Sequence, residues 1–119
     1  MKQNVIQDKS YAFALRIVNL SRFLMVNKRE FILSKQLLRS GTSIGANIEE
    51  AIGGQSDKDF IAKVSISYKE ARESLYWLRL LRDSNYLDET QSKSIISDCH
   101  ELLRILTTIL KTAKTNQQS

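Results

Sequence analysis

The sequence predicts an all-α protein, an antiparallel up-down-up-down four-helix bundle. Three observations carry that expectation. Apolar residues recur at spacings of three, four and seven along nearly the whole chain, and no stretch alternates apolar with polar residues as a strand would. Proline is absent and glycine numbers only four, a composition that long helices tolerate and many tight turns do not. Short polar breaks separate four periodic segments, and connections this short make neighbouring helices antiparallel. The 119 residues suit one domain, 1–119, with a single core.

The first helix is expected over about residues 4–28. Ile6, Phe13, Ile17, Leu20 and Leu24 form its stripe, while Tyr11, Leu15, Val18, Phe23 and Val26 spread apolar character around the rest. A bundle helix needs only about a third of its circumference apolar. The surplus predicts a second packing partner, hence a homo-oligomer. Asn27 to Glu30 is a polar break, and the second helix follows over about 30–53, with Ser34 positioned to cap its main part. Gly53-Gly54 is the strongest stop signal, because glycine adopts the left-handed cap conformation without a Cβ clash.

On this second helix Leu37, Gly41, Ile44, Ile48 and Ala51 make an apolar stripe. Gln36, Ser40, Ser43, Asn47 and Glu50 form a polar seam beside it, and Lys35, Arg39, Thr42, Ala46 and Glu49 face a third way. Asn47 and Glu50 are expected to bond to backbone or to the third helix near Ser67 and Ser74, fixing register together with Glu70. Two glycines four apart would let another backbone approach closely. The same residues match G-x-S-x-G, but a nucleophile elbow needs a preceding strand and a histidine base, and a helical period surrounds this one.

Ser56 with Asp57 and Asp59 opens the third helix, about 57–83, in a capping pattern. Phe60, Val64, Ala71, Leu75 and Leu78 form its inner stripe. Asp88 and Gln91 resemble a capping box for the fourth helix, about 88–114, which buries Ile95, Cys99, Leu102, Leu106, Ile109 and Ala113. Residues 115–119 read as a frayed polar tail.

Lys plus Arg number 18 against 13 Asp plus Glu, a net charge of +5, so polyanions are plausible partners. The single cysteine, Cys99, excludes an intramolecular disulfide and fits a reducing compartment. Neither a secretory leader nor an apolar run of ~20 residues is present, which leads to the expectation of a cytoplasmic protein without membrane contact. No metal, cofactor or catalytic group is expected. Cys99 and adjacent His100 diverge by ~100° on a helix, and four zinc ligands are missing. The least weak enzymatic reading is a Mg²⁺-dependent phosphohydrolase using Glu70, Glu73, Asp98 and Glu101. Against it stands the reading of surface acids paired with Lys69, Arg72 or Arg104.

The basic residues are more organised. Lys58, Lys69, Arg72, Tyr76 and Arg79 share one quadrant of the third helix, and His100, Arg104, Lys111 and Lys114 one of the fourth. Lys35 and Arg39 stand a turn apart on the second. Such stripes suit RNA or DNA, with Lys35, Arg39, Lys69, Arg72, Arg79, Arg104 and Lys111 on phosphates and Tyr76 as a stacking platform. A solvated helix face is the competing reading. Ile66, Trp77 and Leu80 make a second apolar edge on the third helix, read as an oligomer interface, with Trp77 filling a groove of its own protomer as the alternative.

Gln36-Leu37-Leu38-Arg39, Ser43-Ile44, Asn47-Ile48 and Glu50, followed by Phe60, Ser67 and Glu70, carry a family likeness. The chain resembles the bacterial four-helix-bundle proteins related to those encoded in 23S rRNA intervening sequences, over roughly residues 8–114. The resemblance implies a small cytoplasmic bundle assembled as a ring-like homopentamer. It also relates the chain to the accessory variability proteins of diversity-generating retroelements, basic pentameric bundles that bind nucleic acid and a reverse transcriptase. It implies no enzymatic activity. The family often places glycine directly after the position of Glu50, where this chain has Ala51, so the second helix is expected to run a turn longer. The expected function is a non-enzymatic nucleic-acid-binding module, with a protein interaction scaffold as the alternative.

Overall fold

Four helices in chain order build the protein: α1 (Val5–Asn27), α2 (Leu33–Ile52), α3 (Asp57–Asp83) and α4 (Glu89–Gln118). A computed structural model describes residues 4–118, with side chains through residue 116. Among these residues there is no strand, as the periodicity requires. Each helix packs on its sequence neighbours, and α1 and α4 close the ring along its sparsest seam. The antiparallel bundle measures 50 × 25 × 21 Å. No helix among the described residues is long and apolar enough to cross a membrane.

The core is a stack of the expected stripes. Phe13, Ile17, Leu24, Leu37, Ile44, Ile48, Val64, Ala71, Leu78, Leu102 and Leu106 are all buried, and Leu81, outside the expected stripes, joins them. Leu20, Phe60, Leu75, Ile109 and Ala113 are only half-buried, at the edges of the core. Gly41 and Gly45 explain why α1 lies so close to α2. A Cβ on Gly41 would stand 2.8 Å from two Ile17 carbons, and one on Gly45 would stand 3.3 Å from Ser10 Oγ.

The caps follow the sequence at two helices and depart from it at others. Ser56 Oγ accepts from Asp59 N at 3.1 Å. Asp88 and Gln91 form a reciprocal box, with Gln91 N donating to Asp88 Oδ1 at 2.7 Å and Asp88 N donating to Gln91 Oε1 at 3.1 Å. At α2 the cap is Glu30, not Ser34. The Glu30 carboxylate accepts from the amides of Ile32, Leu33 and Ser34, so the helix begins at Leu33 rather than at residue 30. Ser34 is buried and its hydroxyl instead donates to the Glu30 carbonyl at 2.6 Å. Arg29 enters this turn with φ of 54°, a left-handed conformation that costs a non-glycine residue ~1–2 kcal/mol.

Gly53 ends α2 without the left-handed conformation expected of it. Its φ is −82°, and its amide simply closes the last turn on the Glu49 carbonyl at 3.1 Å. Left-handed residues follow α1, at Arg29, and α3, at Asn85, φ 69°, where Tyr86 N donates to Leu81 O and Asn85 N to Arg82 O, the Schellman pattern. The tail expected to fray at residue 115 is helical through Gln118, since neither glycine nor proline interrupts it; Ser119 lies outside the described residues.

Candidate nucleic-acid interface

The carboxylates are sorted by seam. Between α2 and α3, Arg39 bonds both Glu70, at 3.0 Å, and Glu73, and Lys63 reaches Glu50 at 2.7 Å. Between α1 and α4, Lys9 meets Glu101 at 3.3 Å and Arg16 meets Asp98. Apart from half-buried Glu70 and Glu73, these groups are solvent-exposed, and an exposed pair is worth at most ~1 kcal/mol. Their larger consequence is where they leave charge. The arrangement also corrects the phosphohydrolase reading. Glu70 and Glu73 sit on one seam, Asp98 and Glu101 on another, so the two acid pairs never face a common ion. Their partners are Arg39, Arg16 and Lys9 rather than Lys69, Arg72 or Arg104, because helix rotation in the bundle, not spacing along one helix, selects them.

The α3–α4 side is different. Two adjoining cavities of about 560 and 390 Å³ run along it and share His100 and Arg104. Arg82, Lys93 and Ile96 line the first, with Glu89 its one carboxylate; Tyr68, Arg72 and Leu103 line the second. Arg82 also bonds exposed Asp83 at 2.7 Å, a hydrogen bond that holds the Asp83 carboxyl below its ordinary range. Arg72 Nη1 donates to Tyr68 Oη at 3.4 Å, and the guanidinium stands 6.0 Å from the ring centroid.

Of the residues the sequence singles out for phosphate contact, the fold brings Arg72 and Arg104 together in this groove. Lys69, Arg79 and Lys111 are exposed on the same two helices. Lys35 and Arg39 are not part of the arrangement: α2 lies diagonally opposite α4, and Arg39 is held by Glu70 and Glu73. Tyr76 is exposed but lies edge-on to Trp77, ring centroids 5.2 Å apart, and does not line the groove. Tyr68 and Lys93 do. Tyr68 precedes Arg72 by one turn, and Lys93, His100, Thr107 and Lys114 repeat every seven residues, signals present in the sequence.

The polar seam of α2 crosses to α3 by fewer bonds than its residues suggest. Ser67 Oγ donates to the Ile44 carbonyl at 2.9 Å and Ser74 Oγ to Ser40 Oγ at 2.8 Å. Glu50 crosses through Lys63 and Glu70 is reached by Arg39. Ser43 and Asn47 turn back onto their own helix, bonding the carbonyls of Arg39 and Ser43. Trp77 is half-buried against the core, with Nε1 donating to Glu73 at 3.0 Å. Leu80 is half-buried and Ile66 exposed. The most exposed large apolar side chains of α1 are Tyr11, Leu15 and Val26, at 65%, 51% and 69%. Cys99 is fully buried; burial, with the Asp98 charge adding to it, pushes its thiol pKa up to about 12. Among the described residues no group of three or more His, Cys, Asp or Glu is placed to hold a metal ion.

The fold has a solved counterpart. A protein with unknown function from the S23 ribosomal protein family of Bacteroides thetaiotaomicron is 53% identical, with a TM-score of 0.90 over 93% of this chain and 99% of that one. No curated protein matches. The family model for the 23S rRNA-intervening sequence protein matches residues 2–108, nearly the whole bundle just described. The chain belongs to the 23S rRNA-intervening sequence protein family.

Proposed function

We propose that this protein is a non-enzymatic, homo-oligomeric bundle of the cytoplasm that binds RNA or DNA through the phosphates, along the α3–α4 groove. The observation that carries the reading is the sorting of charge. Glu50, Glu70, Glu73, Asp98 and Glu101 are taken up in ion pairs on the other seams, while Arg72, Lys93 and Arg104 line a groove with one carboxylate. Clustered cations in a concave surface focus the field on a polyanion. Five copies, the number implied by the resemblance, would repeat the groove around a ring. A gel shift with mixed RNA and DNA oligonucleotides tests the reading: complexes form at ~50 mM salt and weaken steeply as salt rises. Absence of any shift at ~50 mM salt contradicts it.

A protein interaction scaffold without nucleic-acid binding is the second reading. The exposed Tyr11, Leu15 and Val26 of α1 and Ile66 of α3 favour it, since exposed apolar side chains mark protein contacts. Under that reading, reversing Arg72 and Arg79 leaves partner capture and oligomer mass unchanged.

A further inference from the structure

We infer, resting on the nucleic-acid reading above, that the α3–α4 groove takes a single strand and stacks a base on Tyr68. A duplex presents its phosphates and keeps its base faces inside, so a surface made for a duplex backbone needs cations and little else. This groove has more. Tyr68, Ile96 and Leu103 are half-buried in its lining and interleave with Arg72, His100 and Arg104. Phosphate oxygens gain nothing from covering an aromatic ring and two aliphatic side chains, whereas an unpaired base does.

Width points the same way. Packed helices stand ~8–10 Å apart, so the furrow between α3 and α4 is too narrow to admit a duplex, which is wider than its own ~12 Å major groove. A duplex would rest on the rims and leave Tyr68 uncovered. A strand lying in the furrow would set its backbone against cations of both helices and its bases against the apolar lining.

Arg72 and Tyr68 supply the unit of recognition. The Arg72 guanidinium lies over one face of the Tyr68 ring, 6.0 Å from its centroid and one turn along α3, so an incoming base takes the guanidinium's place on that face while Arg72 turns to the adjoining phosphate. Because every base has a π-face, such a site tolerates sequence. The stretch from Lys93 to Thr108 spans ~22 Å of helix, which fits the short end of the ~4–16 nucleotides held by single-strand grooves.

The test is fluorescence anisotropy of the full chain at ~50 mM salt, with a labelled mixed-sequence single strand of about 12 nucleotides and its matched duplex. The single strand binds at least ~10-fold more tightly, Tyr68→Leu weakens it ~5- to 100-fold, and Tyr68→Phe restores it. The native preference needs no variant, so it stands as a test even if Tyr68→Leu unfolds. Equal or tighter duplex binding, or a folded Tyr68→Leu that binds the single strand like the native chain, overturns the inference and leaves the nucleic-acid reading intact. Binding of neither overturns that reading itself.

Discussion

Gly41 of α2 faces Ile17 of α1 at such close range that a Cβ on the glycine would lie 2.8 Å from both Ile17 Cγ atoms. Ile17 is fully buried and cannot retreat into solvent. Gly41→Ala therefore forces the two helices apart or strains Ile17, at a typical cost of ~1–3 kcal/mol, partly offset by the ~1 kcal/mol that alanine gains in a helix. Chemical denaturation should show a net loss for Gly41→Ala. Gly45→Ala, with its nearest contact at 3.3 Å, should stay within ~1 kcal/mol of the native protein.

Glu30 should couple the α2 cap to pH. Burial acts to raise its pKa, but the hydrogen bonds from the amides of Ser34, Leu33 and Ile32 outweigh it, so the net shift is downward. A carboxylate with a lowered folded-state pKa stabilises the fold above its unfolded value, about 4.3, and loses that contribution as pH falls through the folded value. Glu30→Ala should cost ~1–2 kcal/mol at pH 7 in urea melts. The gap between native and variant should close below pH ~4. A gap that is constant from pH 7 to pH 3 would contradict the charged cap.

Cys99 should behave as an apolar filler. Its Sγ is fully buried, stands 3.4 Å from the Ala71 carbonyl, and has a thiol pKa of about 12. Little thiolate forms at pH 8, and none of it is accessible. A disulfide reagent at that pH should label the folded protein only at the rate of opening and the unfolded protein at once. Stoichiometric labelling of the folded state within seconds would count against this packing.

Much of the fold is legible in the chain because burial imposes a period. The stripes Phe13-Ile17-Leu24 and Val64-Ala71-Leu78 repeat at helical spacing, and Gly41 with Gly45 announces a close approach. The cap at Glu30 was hidden because serine is the commoner cap, and only the left-handed turn at Arg29 brings a carboxylate over those amides. The ion pairs were hidden for a related reason: Arg39 has no acid one turn away on α2, yet bundle packing sets it beside Glu70 and Glu73. The groove was half legible. Charge on α3 and α4 points to Arg72 and Arg104, but Tyr68 and Tyr76 are told apart only once α4 is docked, since that contact decides which edge of α3 becomes concave.

The seam between α2 and α3 should depend on Ser67 more than on Asn47. The Ser67 hydroxyl is buried and reaches across to the Ile44 carbonyl, whereas Asn47 bonds within its own helix. Asn47→Ala should change stability by less than ~0.5 kcal/mol, as for a substitution away from any buried network. Ser67→Leu should overpack the interface and cost ~1–3 kcal/mol or more. Thermal melts of the two variants side by side decide the matter, and a larger loss for Asn47→Ala would reverse the assignment.

The location of binding separates the groove from mere net charge. The double variant Arg72→Glu/Arg104→Glu and a control, Arg22→Glu/Lys35→Glu, change the net charge equally, but only the first pair lines the α3–α4 groove. Affinity for a labelled single strand should be measured for both at a series of salt concentrations. The groove variant should bind ~100-fold or more weakly, with a shallower salt slope reflecting about two fewer phosphate contacts, and the control should keep most of its affinity. Equal losses in the two variants, or a retained slope in the groove variant, would contradict the central claim.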